Sequence, residues 1–243
     1  MQIKDQFDPD LRKIIKKKKQ VAIIPIGSIE QHGEHLPIST DSDIVTEIAK
    51  RVSNKCNFLL LPTINFGVSF EHSPFFNLSV KTSTLQKQLI DLGKSLVSNK
   101  IQRLVIINGH HGNQTALRDI ENKIEGKTKR KIRVFVFSYW NFMKPEFDHA
   151  GFVETSLMRA ISNNVNMKKA KRGLITKNMS KKEKLRLSKL ASKSFLKATK
   201  SGVWGDPTHA TAKDGKKILN EVVKNLVKAS QTCLTHKNRK LHQ

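Results

Sequence analysis

Residues 21–41 of the chain read VAIIPIGSIEQHGEHLPISTD, and this stretch decides the fold. Its first six residues are continuously apolar apart from one proline, which is typical of a parallel strand buried on both faces of a sheet. Acids and imidazoles follow directly after the turn at Gly27, namely Glu30, His32, Glu34, His35 and Asp41. An open α/β sheet places its chemistry at the carboxyl ends of its strands, so the stretch predicts a functional site there.

Two side chains in this stretch have the chemistry of metal ligands. Glu30 and His32 are two residues apart, so in an extended segment both point to the same side. A carboxylate beside an imidazole suits a divalent zinc, manganese or iron ion. A solvated loop is the alternative interpretation, but carboxylates packed this closely repel one another. We therefore favour a metal site.

The rest of the chain alternates between apolar strands and amphipathic helices, with connections too long for hairpins. This pattern predicts an α/β fold, a three-layer α/β/α sandwich with a mainly parallel central sheet, in a single domain over residues 1–243. The predicted strands are residues 21–26, 57–61, 103–107 and 131–137. The predicted helices include residues 41–54, 85–96, 117–124, 151–161, 181–200 and 218–227. Residues 1–20 end in Lys16–Lys19, which is expected to be a solvated charge run, and the basic tail from about residue 235 is expected to fray.

Composition limits the classes of protein that the chain can represent. Apolar residues make up 37% of the 243 residues, which is enough for a substantial core. Cys56 and Cys233 give neither a disulfide framework nor a CxxC metal motif. No run of eighteen apolar residues predicts a membrane span, and the first ten residues do not resemble a secretory signal. We therefore expect a cytoplasmic protein that does not act at a membrane.

The formal net charge of +25 leaves two interpretations open. Such a charge favours anionic partners, such as nucleic acid or a phosphorylated substrate. A general preference for lysine, without any specific partner, would give the same balance. The basic residues are most dense at residues 168–200, with thirteen Lys or Arg and one Glu.

The turn NGHHGN, residues 108–113, follows the third predicted strand. It would place His110 in the crevice at the strand ends, beside Glu30, His32 and Asp41. A phosphate cradle is the alternative, since helix N-termini bind anions. The chain contains neither GxxxxGK[ST] nor GxGxxG, so we favour the first interpretation.

The segment HAGFVETS, residues 149–156, places His149 and Glu154 across a predicted loop-to-helix junction. A carboxylate at that position can simply be favoured by the helix dipole. It can also be a ligand or a proton carrier in the same crevice, and the spacing leaves both open. Residues 63–82 form another unusually long connection, rich in phenylalanine, and connections of this length are more often functional than idle.

Together these segments resemble the creatininase family of metal-dependent amidohydrolases. The resemblance rests on four motifs in the family's order and covers roughly residues 20–227. The motifs are IGSIEQHGEHLPISTD, NGHHGN, HAGFVETS and GVWGDPTHATAKDG.

The resemblance implies two divalent ions, zinc, iron or manganese, in each subunit. Glu30, Asp41 and His110 would match the ligands of one ion. His32 and Asp41 would match those of the other, with Glu154 as the best candidate to complete it. His149 would match the family's catalytic acid or base, and Glu154 is the alternative proton carrier.

The chain also departs from the creatininase pattern at two places. Creatininase carries a glutamate ligand where this chain has Gly112, which is why Glu154 is needed to complete the second ion's ligands. Creatininase also places tryptophans around its substrate, whereas Pro145 stands at one of the expected positions and Trp140 is the candidate for the other. These departures weaken the case for creatinine as the substrate more than the case for hydrolysis of a C–N bond.

The family hydrolyses several C–N bonds, so the resemblance leaves several substrates open. Its members open creatinine, deformylate a formylaminopyrimidine ribose phosphate on the flavin and deazaflavin routes, or trim a precursor peptide. The basic charge and the missing acid at Gly112 favour the phosphorylated substrate, and therefore a deformylase.

Family relatives are homo-oligomers, often hexamers, so we expect an oligomer in which residues 63–82 contact a neighbour. A protein of another class, a basic nucleic-acid-binding module with structural metal, would use the lysine-rich residues 181–200. The absence of zinc-finger or RNP patterns makes that interpretation the weaker one.

Overall fold

The computed structural model describes residues 1–17 and 20–235, with side chains described as far as residue 231. The longer helices are α1 (Asp8–Lys17), α2 (Thr40–Cys56), α3 (Thr82–Ser98), α4 (Gln114–Leu117), α5 (Ile120–Lys127), α6 (Phe152–Ile161), α7 (Lys181–Ala191), α8 (Phe195–Thr199) and α9 (Ala212–Thr235). The strands are β1 (Ala22–Ile26), β2 (Leu59–Leu60), β3 (Arg103–Asn108) and β4 (Arg133–Ser138). Short 3₁₀ helices lie at Ile3–Asp5, Phe70–His72, His111–Asn113, Tyr139–Phe142 and Met167–Lys169. The predicted basic tail lies beyond the described residues.

The four strands form one parallel sheet in the order β2-β1-β3-β4. Successive side chains of β1 pack on opposite faces of the sheet. Ile23 packs with α2, α6 and α9, whereas Ile24 packs with α3 and α5 on the other face. The predicted three-layer α/β/α sandwich is therefore confirmed.

The strand order places a crevice at the carboxyl ends of β1 and β3. From β1 the chain moves to β2 on one side, and later to β3 on the other. Ile26, the last residue of β1, pairs with Asn108, the last residue of β3, so the segments that follow them leave the sheet side by side. Ligands of open α/β sheets bind at such a switch point.

Three segments differ from the helices that we predicted. The charged N-terminal segment contains helix α1, which we did not predict. In α1, Arg12 forms an exposed ion pair with Asp8, four residues earlier. The predicted helix over residues 117–124 is divided at Asp119, which has a φ of +61°. The predicted helix over residues 181–200 is divided into α7 and α8, and the division allows Phe195 to be buried.

A search of the described residues finds no helix that is both long enough and apolar enough to cross a membrane.

Close packing of α6 against α9 depends on a glycine. A Cβ atom at Gly215 would lie 1.8 Å from the backbone oxygen of Ser156.

We expect Gly215→Ala to lower the free energy of unfolding by about 3 kcal/mol, because two backbones must separate. Gly126 in α5 is the matched control, since nothing lies within 4 Å of its added Cβ. Gly126→Ala should leave stability unchanged or raise it by up to ~1 kcal/mol, measured by urea unfolding. Equal effects of both changes would contradict this account of the helix packing.

Candidate active site and metal centre

The structure brings all six predicted site residues together at the carboxyl edge of the sheet. Glu30 and His32 follow β1, Asp41 lies in the first turn of α2, and His110 follows β3. His149 and Glu154 lie on either side of the start of α6. The five predicted metal ligands are buried: Glu30, His32, Asp41, His110 and Glu154.

In the described part of the chain, their donor atoms form three overlapping groups: two share the Asp41 carboxylate, and the third consists of Glu30, His32 and His149. Glu30, Asp41 and His110 form the first group, and His32, Asp41 and Glu154 form the second. In the first group, Asp41 Oδ2 lies 2.9 Å from His110 Nδ1, and Glu30 Oε2 lies 3.3 Å from His110 Nε2. In the second, His32 Nε2 lies 3.3 Å from Asp41 Oδ1 and 3.5 Å from Glu154 Oε2. A carboxylate shared in this way can bridge two cations.

Backbone carbonyls fix which nitrogen of each imidazole faces this centre. A carbonyl only accepts, so the 3.1 Å contact to the carbonyl of Glu30 places a proton on His32 Nδ1 and leaves Nε2 free. By the same argument, the 3.0 Å contact to the carbonyl of Val68 places a proton on His110 Nε2 and leaves Nδ1 facing Asp41. Metal-binding histidines are held in this way, with the second ring nitrogen donating to a protein oxygen.

Several inward-facing atoms lack hydrogen-bond partners, and this observation tests whether the site fits a cation. Among the described residues, four such buried atoms belong to the two groups: Glu30 Oε1, His32 Nε2, Asp41 Oδ2 and Glu154 Oε1. Leaving a buried polar atom unsatisfied costs about 1–3 kcal/mol, and more for a charged group. Carboxylate oxygens and imidazole nitrogens that converge in this way fit divalent zinc, manganese or iron.

The pKa values of Glu30 and His32 also indicate that a positive charge is favoured at this cluster. Burial raises the pKa of Glu30 to about 8, although His110 opposes the shift. Burial opposes protonation of His32, but the carboxylates of Asp41 and Glu154 outweigh it and raise its pKa to about 10. Both imidazolium protons and metal cations satisfy such carboxylates, so the buried cluster favours a cation at its centre.

The long connection before α3 contributes two residues that we did not predict. His72 is buried, and its Nε2 lies 3.1 Å from Glu30 Oε1. Its ring stacks on Phe195 with a centroid distance of 4.5 Å, which explains why α8 is separate from α7. Glu71 Oε1 lies 3.9 Å from His110 Nε2. In the sequence, Glu71 and His72 could have been recognised as site candidates because an acid stands next to a histidine inside an unusually long connection.

Gln31 orients His149. The Gln31 amide nitrogen lies 3.2 Å from the carbonyl of Gly202 and 3.1 Å from His72 Nδ1, and these two acceptors use its two protons. His149 Nε2 can then donate to the backbone carbonyl of Gln31 at 3.1 Å. This leaves His149 Nδ1 facing the site, 3.8 Å from Glu30 Oε1. Burial, followed by the nearby His32 and His72, holds the pKa of His149 well below its ordinary value, which favours the neutral imidazole.

Asp148 positions Glu154. Its carboxylate accepts hydrogen bonds from the backbone amides of Val153 at 2.8 Å and Glu154 at 3.3 Å, and so closes the start of α6. Glu154 Oε2 in turn accepts a hydrogen bond from the backbone amide of Ala150 at 2.7 Å. One oxygen of Glu154 is therefore used for positioning, and the other is unpaired in the site.

His111, the residue after His110 in the chain, lies against a pair of stacked aromatic rings. Trp140 stacks on Phe147 with a centroid distance of 4.7 Å, and His111 lies 5.9 Å from Trp140. His111 therefore packs against aromatic rings, as expected for a residue with a structural role. The predicted contact of Trp140 with substrate stays a prediction.

The shared carboxylate gives a direct test of metal binding. We expect the metal-loaded protein to hold two divalent ions per chain, and Asp41→Ala to lose both, because both donor groups use Asp41. Glu154→Gln should retain one ion, at Glu30, Asp41 and His110. Metal content after exhaustive dialysis, measured by mass spectrometry, checks both results.

Asp43→Asn is the matched control, because Asp43 lies on the same helix but is exposed and accepts a hydrogen bond from Ser39. It should keep the full metal content. Full metal content in Asp41→Ala would rule out the shared carboxylate.

Comparisons with known proteins identify the family of this chain. The family model described as "Creatininase: Creatinine amidohydrolase" matches residues 5–230. The mycofactocin precursor peptide peptidase of Mycobacterium ulcerans is 31% identical over 221 residues, which cover 84% of this chain and 82% of that protein. The 2-amino-5-formylamino-6-ribosylaminopyrimidin-4(3H)-one 5'-monophosphate deformylase of Methanococcus maripaludis is 30% identical over 225 residues, which cover 87% and 90%.

The fold is also found in solved structures. A structure named "Creatininase Mn" superimposes with a TM-score of 0.82 at 20% sequence identity, and the match covers 97% of this chain and 99% of that one. This likeness supports the fold, and the match of the family model over residues 5–230 carries the assignment. The chain therefore belongs to the creatininase family of metal-dependent amidohydrolases.

Proposed function

We propose that this chain hydrolyses an amide or formamide C–N bond at a centre of two divalent cations. The observation that carries the proposal is the pair of donor groups joined by Asp41, with buried atoms that have no hydrogen-bond partner among the described residues. Glu30, Asp41 and His110 would hold one cation, and His32, Asp41 and Glu154 the other. When bound, such a pair lowers the pKa of water toward neutrality and polarises a carbonyl group.

His149 is the residue that we propose for proton transfer. A leaving amine needs a proton, and a neutral imidazole can take one from the nucleophile and return it. The contacts with Gln31 leave His149 Nδ1 on the side of the site. The backbone of His149 is held by reciprocal hydrogen bonds with Trp204, at 3.0 and 2.8 Å, so the ring is fixed in place. Glu154 is a weaker candidate, because one of its oxygens is bonded to Ala150.

For the substrate we propose a formylamino group on a phosphorylated pyrimidine ribotide, so that the reaction releases formate. The net charge of +25 favours an anionic substrate. Similarity to the archaeal deformylases supports the same choice.

A precursor peptide is the second candidate substrate. The similarity to the mycobacterial peptidases, 31% over 84% of this chain, favours it. Creatinine is supported less well, because Pro145 replaces an expected tryptophan. A nucleic-acid-binding role for the lysine-rich segment is not needed to explain the buried site, and we do not propose it.

We propose that the protein acts in the cytoplasm as a homo-oligomer. The observation in its favour is a set of exposed phenylalanines on the connection before α3, at Phe66, Phe70 and Phe76. Exposed large apolar side chains grouped on one segment are typical of an interface.

Sedimentation tests this surface. We expect an oligomer for the unmodified protein and dissociation toward a monomer when Phe70 and Phe76 are both changed to Ser. The exposed Phe7, changed to Ser, is the control and should leave the sedimentation coefficient unchanged. A fully active monomer would refute the proposal.

The reaction can be assigned by comparing products. The metal-reconstituted protein should release formate from the formylaminopyrimidine ribose phosphate with a higher kcat/KM than it forms creatine from creatinine or shortens a precursor peptide. A chelator should abolish the rate, and zinc or manganese should restore it. Faster peptide cleavage, measured by mass spectrometry, would replace the deformylase assignment with the peptidase one.

The role of His149 can be tested separately. His149→Gln should lower kcat by about 10²–10⁴-fold, because a positioned acid or base is lost, while the metal content stays the same. His209→Gln is the control, since His209 is exposed. Loss of metal from His149→Gln would instead make His149 a ligand, because its ring also lies close to Glu30 and His32.

A further inference from the structure

The connection before α3 passes directly over His110. Its 3₁₀ helix, Phe70–His72, places the Glu71 carboxylate 3.9 Å from His110 Nε2, and the Glu71 side chain is only 17% exposed. The backbone carbonyl of Val68, from the same connection, lies 3.0 Å from that nitrogen. Glu30 Oε2 also lies 3.3 Å from this nitrogen, so this segment and Glu30 together surround the ring nitrogen of His110 that faces away from Asp41.

This arrangement depends on the absence of a side chain at position 112. A Cβ atom on Gly112 would lie 2.2 Å from the Val68 oxygen, 2.4 Å from His110 Nε2 and 2.5 Å from Glu71 Oε1. Glu71 therefore occupies the space where a side chain at position 112 would begin. Position 112 is also where the resemblance places a glutamate in creatininase, and this chain lacks it.

We propose that Glu71 is a positioning residue for His110, whose side chain its carboxylate holds from the side opposite Asp41. His110 Nε2 carries the proton that the Val68 carbonyl accepts, so the negative charge of Glu71 lies on the N–H side of the ring. A carboxylate there holds the ring in place and makes Nδ1 a stronger donor toward a cation. The inference rests on the proposed metal centre but not on the choice of substrate.

Hydrogen bonds anchor the segment that carries Glu71. The Val68 amide donates to Asn113 Oδ1 at 2.9 Å, and the Asn113 side chain donates to the carbonyl of Gly27 at 3.0 Å. The Ser69 amide donates to Ser79 Oγ at 2.8 Å. Glu71 is thus fixed relative to the turns that follow β1 and β3, as a positioning residue must be.

Metal release from the loaded protein tests this role without using activity. We expect Glu71→Gln to lose one of the two ions to a colorimetric chelator about 10–100-fold faster than the unmodified protein, as is usual when an outer carboxylate partner of a ligand is removed. Glu71→Asp, which keeps the charge, should recover part of the difference.

The control is Glu34→Gln, because Glu34 is mostly exposed and pairs with Lys171. It should release metal at the unmodified rate. Equal release rates for Glu71→Gln and Glu34→Gln would overturn the proposal, even if formate release were found.

A second variant tests the space at position 112. Gly112→Ala should push Glu71 and the Val68 carbonyl away from His110, and should release the same ion faster while the circular dichroism spectrum stays native. If Gly112→Ala releases metal at the unmodified rate, the proposed dependence on Gly112 is wrong. If Glu71→Gln releases metal faster but no formate is formed by any variant, this inference stands and the proposed substrate fails.

Discussion

Three buried carboxylates that face one another, each with one oxygen that has no hydrogen-bond partner among the described residues, are the constraint on which this structure depends. Glu30, Asp41 and Glu154 are almost completely buried, and each has an unpaired oxygen. Removing a charge from water is costly unless an opposite charge or a metal compensates it. The imidazoles of His32 and His110 lie among these carboxylates, and His32 Nε2 and His110 Nδ1 face inward toward Asp41. A cation is the partner that satisfies both kinds of donor at once.

The fold serves this centre by bringing distant segments to one edge of the sheet. The order β2-β1-β3-β4 opens a crevice between β1 and β3, and the first turns of α2 and α6 point their acids into it. Helix N-termini favour such carboxylates, which offsets part of the cost of burying them. Contacts around the site then fix the rings: the Gln31 side chain joins His72 to the backbone carbonyl of Gly202, and the Gln31 backbone carbonyl accepts a hydrogen bond from His149. Gly202 permits this close approach, because its φ is +74° and a Cβ would lie 2.1 Å from Gln31 Oε1.

Much of this arrangement could be predicted from the sequence. The apolar run before Gly27 marked β1, and Glu30 and His32 were recognisable because they follow it at a spacing of two. Periodic apolar residues likewise indicated the helices. Glu71 and His72 could not be placed, because they lie on an irregular connection more than forty positions from Glu30, and no periodicity indicates where such a segment packs. The same limit applies to the division between α7 and α8, which depends on Phe195 packing against His72 and His149.

Anomalous diffraction from crystals grown with manganese tests the central claim most directly. The account predicts two anomalous peaks about 3.5–4 Å apart, on either side of the Asp41 carboxylate. One should be bound by Glu30 and His110, and the other by His32 and Glu154. Crystals with no peak at this edge of the sheet, and with the same side chains hydrogen-bonded to protein groups, would contradict it.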